Sequence, residues 1–338
     1  MHRLVLGSAL ALSGLSNIAS AQEITLFGET RMGLGYNIDN DGGALPPESD
    51  GYDKIRAVSR VRFGVLMTGE TNSGITFGGS IRGDNAIGGD GGEDGKEGQT
   101  EGDVFVSGAW GTLTMGDTNG ADEQNVGDLN EVGLTCLGCE NETPFISNGG
   151  GYGNDQLNFA DNPFARPTVR YDYEFQNVGV SLSTNRDLTD VGAGANWTGS
   201  FGGTTVTVGG GYYRFDSFID LSGSEPVPVS AGEQWSAAIG GEYGAFNAKA
   251  IYTTASTEKD SSFSTLGAGL GGEFGPWALN FYYNDIIEAS GSVADTEGQD
   301  SVGFGVNYDL GGGALAQFGV ADTYADETVS DFGISMTF

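Results

Sequence analysis

The sequence predicts an all-β chain, a 16-stranded antiparallel transmembrane β-barrel with short periplasmic turns, long external loops and a third loop folded inward. Three observations predict it. Apolar residues recur with period two in sixteen runs, and the connections between runs alternate between short and long. After residue 21, no stretch of 18 apolar residues exists to make a membrane helix.

Composition narrows the function classes first. The 338 residues carry 46 Asp+Glu against 14 Lys+Arg, a formal charge of −32, with 60 Gly and 11% aromatics. So many aromatics exclude a disordered acidic tail. The charge excludes nucleic acid as a partner, because such a surface cannot displace counterions from phosphates. One histidine, His2, and two cysteines, Cys136 and Cys139, leave almost no stock for nucleophilic or zinc catalysis.

The elements follow in chain order. Met1–Ala21 reads as a secretory signal: Arg3, an apolar run Leu4–Leu15, then the small residues Ala19, Ser20 and Ala21 before the cut. A buried N-terminal helix is the alternative, disfavoured because the run is short and ends in a cleavage pattern. The remaining 22–338 form one barrel domain without histidine. Glu23–Tyr36 sets Ile24, Leu26, Met32, Leu34 and Tyr36 against Thr25, Glu29 and Arg31. Asp53–Met67 sets Ile55, Ala57, Val61, Phe63, Val65 and Met67 against Lys54, Arg56, Arg60 and Arg62; Ile75, Phe77 and Ile81 then alternate with Thr76, Ser80 and Arg82. Runs continue at Val104/Val106, Leu113/Met115, Val169–Phe175, Val178–Leu182, Val191–Trp197 and Val206–Tyr212. The second half adds Trp235–Tyr243, Phe246–Tyr252, Leu266–Phe274, Trp277–Tyr283, Val302–Tyr308, Ala314–Val320 and Phe332–Phe338. Glycine scattered through nearly all of them argues against helix. An even count suits a closed barrel, which leaves no unpaired edge in lipid.

Short connections lie at Gly69–Gly74, around Gly111, at Gln176 and Asn177, Thr198–Gly203, around Gly244, at Gly275 and Pro276, and at Asp309–Gly313. Long ones are Asn37–Tyr52, Gly83–Gly102, Asp117–Arg166, Asp216–Glu233, Thr254–Ser262 and Asn284–Gln299. Aromatics such as Tyr36, Trp110, Trp197, Tyr212, Trp235, Tyr243 and Trp277 stand at strand ends, where interfacial girdles belong. The Gly/Asp-rich Gly89–Gly98 superficially resembles calcium-binding β-helix repeats, but the pattern does not recur every nine residues, so it reads as a solvated external loop with weak divalent binding at most.

The chemistry concentrates in a basic row. Arg31, Lys54, Arg56, Arg60, Arg62 and Arg82 all occupy the polar phase of the first three strands, so they share one side of the sheet. Like charges so gathered need opposite charge nearby. The Asp117–Arg166 connection is too long to be idle, and its Asp117, Glu123, Asp128 and Glu131 would face the arginines if it folded inward. The alternative is that Arg60 and Arg62 pair with local carboxylates at one rim. A transverse field across a narrow wet lumen would sort solutes by size and orient their dipoles.

In order along the chain, Ala21–Tyr36 with Arg31-Met32-Gly33, Ser59-Arg60-Val61-Arg62, Met115-Gly116-Asp117, the run from Gly127 to Gly133, Asp161-Asn162-Pro163, Leu310–Ala314 and the terminal Phe338 together resemble the general-diffusion porins of alphaproteobacteria, of the Rhodobacter and Paracoccus kind. The resemblance spans the mature chain. It implies a 16-stranded homotrimer embedded in the lipid bilayer of a Gram-negative outer membrane, passing small hydrophilic solutes and ions through a water-filled channel. By motif, Arg31, Arg60, Arg62 and Arg82 would form the basic side of the constriction. The acidic side would fall among Asp117, Glu123, Asp128 and Glu131, where the family can also hold calcium; no other cofactor is expected. Lys54 and Arg56 rest on strand phase alone.

Cys136-Leu137-Gly138-Cys139 departs from the family pattern. It can be a redox motif, half a zinc site or a loop-local disulfide. A thioredoxin-like setting is missing and zinc would want two more soft ligands, so an exported chain favours the disulfide. Rival functions are a substrate-selective outer-membrane channel, which would show an aromatic slide or a uniformly basic ring, and a structural or adhesive barrel, which would be smaller. A barrel enzyme would normally need a histidine beside its Ser or Asp.

Overall fold

A sheet in lipid must pair both edges of every strand, and this chain does so by closing on itself. The computed structural model describes residues 22–36, 55–87, 100–148, 167–220, 227–258, 261–324 and 326–338. Expectations for the signal segment 1–21, Lys54, the 37–52 connection, Gly89–Gly98 and the 149–166 end of the third loop lie outside the described residues.

The strands are β1 (Glu23–Tyr36), β2 (Ile55–Glu70), β3 (Thr76–Ile87), β4 (Thr100–Gly108), β5 (Gly111–Gly116), β6 (Pro167–Phe175), β7 (Val178–Asn185), β8 (Val191–Phe201) and β9 (Thr204–Phe215). They continue as β10 (Phe218–Asp220), β11 (Val227–Val229), β12 (Gly232–Tyr243), β13 (Phe246–Thr257), β14 (Ser262–Phe274), β15 (Trp277–Ser290), β16 (Asp300–Gly311), β17 (Ala314–Asp322) and β18 (Thr328–Thr337). Among the described residues, sixteen of them form one closed antiparallel barrel. Neighbours in sequence pair throughout, β12 follows β9, and β18 closes against β1 with Arg31 opposite Ser335. β10 and β11 make a separate two-stranded hairpin in the 216–231 connection, which the period-two reading did not anticipate because three-residue strands carry no periodicity.

The burial pattern is inverted relative to a water-soluble sandwich. Leu26 is 74% exposed while Arg31, five residues on and of opposite phase, is 6% exposed. The apolar phase faces outward as a lipid-facing wall and the polar phase faces the lumen. Two aromatic girdles bound the wall. Tyr212 and Trp235 pack 4.5 Å apart near one rim, and Trp277 and Tyr308 pack 4.6 Å apart near the other. Within β12, Trp235 and Tyr243 are separated by about 27 Å of strand, or about 21 Å of height at a 40° tilt, close to the apolar band of outer-membrane barrels.

Two strand ends differ from expectation. β3 runs to Ile87 and β4 starts at Thr100, so Asp84 and Glu101 lie in the ladder and not in a loop. Above the apolar band both faces meet water, and the alternation that marks a strand in sequence fades while the hydrogen-bonded ladder continues.

Candidate functional site

β5 is the shortest barrel strand, six residues, because the chain leaves the wall there. Gly116 makes the exit with φ 126°, and a Cβ on it would collide with the Gly102 carbonyl. Arg170 on β6 fixes the root: Nη1 donates to Asn119 O at 3.0 Å, while Nε bonds Asp172 at 2.9 Å.

From this root the third loop enters the lumen and lies along the inner wall. Helix α1 (Ala121–Val126) packs against β7, β8, β9 and β12. Ser183 on β7 accepts the Ala121 N–H at 2.9 Å, and Asn196 on β8 donates to Asn125 at 2.8 Å. Further along, Lys249 on β13 donates to Asp128 O at 2.9 Å, Asn280 on β15 to Glu131 O at 3.1 Å and Gln317 on β17 to Gly133 O at 3.2 Å. The tip reaches β18 and β1. Asp331 accepts the N–H groups of Leu134 and Thr135 and the Thr135 hydroxyl, and Arg31 donates to Leu134 O at 2.7 Å. The chain then reverses at Cys136–Cys139 and returns alongside its outbound arm. On the way back Asn284 holds Glu140 O at 2.7 Å, and Gln234 brackets Pro144 O and Ile146 N at 2.9 and 2.6 Å. The two arms bond each other through Leu129 N to Asn141 O, Thr143 N to Asp128 and Ser147 Oγ to Asp122.

Glycines on the wall make this approach feasible. A Cβ at Gly194, Gly209 or Gly211 would strike α1, and one at Gly319 or Gly333 would strike the tip around Gly133 and Leu134. Between loop and wall lies an apolar seam of Val126, Leu129, Val132, Leu137, Phe145, Ile251 and Tyr282. A second apolar cluster, including Tyr213, Phe215, Phe263, Ile286 and Tyr324, fills the lumenal side of β9 and β13–β15 beside the returning arm. The lumen left over is therefore one-sided, bounded by the loop and by the β2–β6 wall.

The basic row divides between two settings. Arg31 is buried under the loop tip. Arg60, opposite Arg31 in the ladder, pairs with Glu29, and Arg60, Arg62 and Arg82 remain half-buried on the lumenal wall. The register also sets Glu29 and Asp84 opposite Arg62 and Glu101 opposite Arg82, so acids sit on the adjacent strands as well as on the loop. Arg56 stands on β2 opposite Gly35 of β1.

The loop acids differ from one another. Asp117, just past the exit, is exposed. Glu123 on α1 accepts from Asn119 at 2.7 Å. Asp128 turns inward to the Thr143 N–H at 2.7 Å, and burial raises its carboxyl above the ordinary range. Glu131 reaches the lumen; desolvation within the barrel raises it, opposed by the charges of Arg31 and Arg60. Asp122 is fully buried with one oxygen on Ser147, and burial pushes its carboxyl up to about 6. Glu142 is raised well above its ordinary range by burial and by the carboxylates of Asp128, Glu123 and Glu131. Cys136 and Cys139 lie with their Cα atoms 4.7 Å apart, within disulfide reach.

Sequence reasoning missed the residues that hold the loop: Arg170, Asp331, Gln234, Lys249, Asn280 and Asn284. Each stands on the inward phase of its strand, a signal present in the sequence, but nothing local tells a loop anchor from any other polar lumen residue.

A closed transmembrane barrel whose lumen is narrowed by its own loop, with ionisable groups on both sides of the gap, defines a membrane channel. Residues 8–328 match the sequence profile of the Gram-negative porins, and the chain belongs to that family: it is a water-filled channel for passive diffusion of small hydrophilic solutes, not an enzyme. It is 30% identical over 347 residues to the porin of Rhodobacter capsulatus, with 94% of this chain and 100% of that protein covered. A solved porin structure refined at 1.8 Å matches with a TM-score of 0.64 and 26% identity over 94% of this chain and 100% of the other. A substituted variant of the Rh. blastica porin matches at a TM-score of 0.63 and 16% identity over the same shares, a likeness of fold alone.

Proposed function

We propose that the third loop sets the exclusion size of this channel, and that solutes pass between it and the β2–β6 wall, with Arg60, Arg62 and Arg82 on one side and Glu123, Glu131 and Glu142 on the other. The observation that carries this reading is the series of wall-to-loop bonds from Arg170 round to Arg31, which holds the loop inside the barrel against its inner wall. The arginines have acids beside them in the ladder, whereas the loop acids crowd one another, so the gap favours cations weakly. Calcium at the loop acids is compatible with their oxygen donors.

The chain works in the outer membrane after residues 1–21 are removed, leaving 22–338 as the barrel. Its oligomer is a homotrimer. Six residues of β5 give about 20 Å of strand, or about 16 Å of height once tilted, which is too low a wall for the apolar band. Burying that wall against neighbouring copies removes the mismatch; the number three comes from the family resemblance. In the exported chain Cys136 and Cys139 form a disulfide that closes the loop tip.

Liposome swelling with a graded series of sugars tests the exclusion role. Swelling rates should fall smoothly with solute size, and deleting the 121–147 arm should raise the size limit. An unchanged limit in a folded deletion variant would remove the loop from the constriction.

A further inference from the structure

Two cysteines alone are half of a metal site. The fold supplies a third donor: a Glu142 carboxylate oxygen and the Cys136 and Cys139 sulfurs lie within 4.8 Å of one another. The arrangement is fixed by backbone. Glu142 N–H bonds Cys139 O at 2.9 Å, and Leu137, 1% exposed, anchors the turn in the seam between loop and wall. Asn141 Oδ1 lies 3.3 Å from the Cys136 sulfur. Glu142 is in turn surrounded by the carboxylates of Asp128, Glu123 and Glu131, so a cation there would offset repulsion already present.

We propose that Cys136, Cys139 and Glu142 form a redox-dependent site for one thiophilic divalent cation, Zn2+ or Cd2+, at the tip of the third loop. The bridged state is closed to metal. A dithiol reductant transfers two electrons and two protons to the bridge, closes its own disulfide and leaves two thiols. Binding of the metal then releases both thiol protons and completes the coordination with Glu142 and water. Thiolate donors around one tetrahedral ion stand roughly 3.8 Å apart, so once the bridge is reduced the two sulfurs separate by side-chain rotation while the Glu142 carboxylate closes in on them. The soft sulfur pair selects against Ca2+ and Mg2+. The metal site rests on the Cys136–Cys139 pairing proposed above, not on the channel activity.

The test uses the folded mature chain in detergent, reduced with a phosphine, desalted and titrated with Cd2+. Two thiols per chain should appear, and one equivalent of Cd2+ should produce thiolate-to-metal absorbance in the ultraviolet. Glu142→Gln should weaken binding at least about tenfold, and the Cys136→Ser, Cys139→Ser double variant and the unreduced chain should show no such absorbance. In planar bilayers, Cd2+ should lower the conductance of the reduced chain relative to its own metal-free value, reversibly with chelator. The proposal is overturned if the reduced chain takes up no Cd2+, if Ca2+ competes equally, or if the bridge resists reduction in the folded barrel. Absorbance is read without any pore activity, so failure of the channel reading stays distinguishable.

Discussion

Asp122 shows how one side chain ties the loop to pH. Its folded carboxyl sits at about 6 against an ordinary 3.8, so the docked helix holds a proton that the undocked loop releases. Docking is therefore strongest below pH 4, weakens as pH rises towards 6, and is lower by about 3 kcal/mol above it. Asp122→Asn should remove that dependence, making amide exchange across Ala121–Val126 slower than in the parent at pH 7.5 and similar at pH 4. The same pH slope in both proteins would show that another group sets it. Asp122 was not readable as special from sequence, since its burial comes from β8 and β9, distant in the chain. Arg31 was readable as inward-facing, yet its place beneath Leu134 depends on where the loop ends.

The strands were readable because lipid on one side and water on the other enforce strict alternation, and all sixteen runs correspond to barrel strands. Their upper ends were not, because alternation disappears above the lipid. The inward turn of the third loop was inferred from its length and acidity, whereas its path was hidden: it is written in single glycines spread over β8, β9, β17 and β18. That path makes a sharp contrast. Gly209→Val should force α1 off the wall and give unsteady conductance, because its Cβ would collide with Asn125. Gly240→Ala, also inward-facing but with its nearest contact at 3.5 Å, should behave like the parent. Equal behaviour of the two variants would mean that close packing of the helix does not hold the loop.

The whole barrel combines an apolar exterior, two aromatic girdles and a lumen narrowed on one side, which is what a passive pore needs. Burial raises the carboxyls of Glu131 and Glu142, so each takes up its proton at a higher pH than an exposed carboxylate would, and cation preference should fall as the solution is acidified. Reversal potentials across a salt gradient check this; a preference that grows in acid would place the selecting charge elsewhere. An open pore narrowed by a docked loop has a direct electrical signature. Single-channel conductance of the purified protein against salt concentration tests it most directly. Large, steady steps that rise in proportion to concentration are expected, in groups of three for a trimer. Conductance that saturates and is blocked by one solute class would contradict it in favour of a substrate-selective channel, and folded protein without conductance would leave a structural or adhesive barrel.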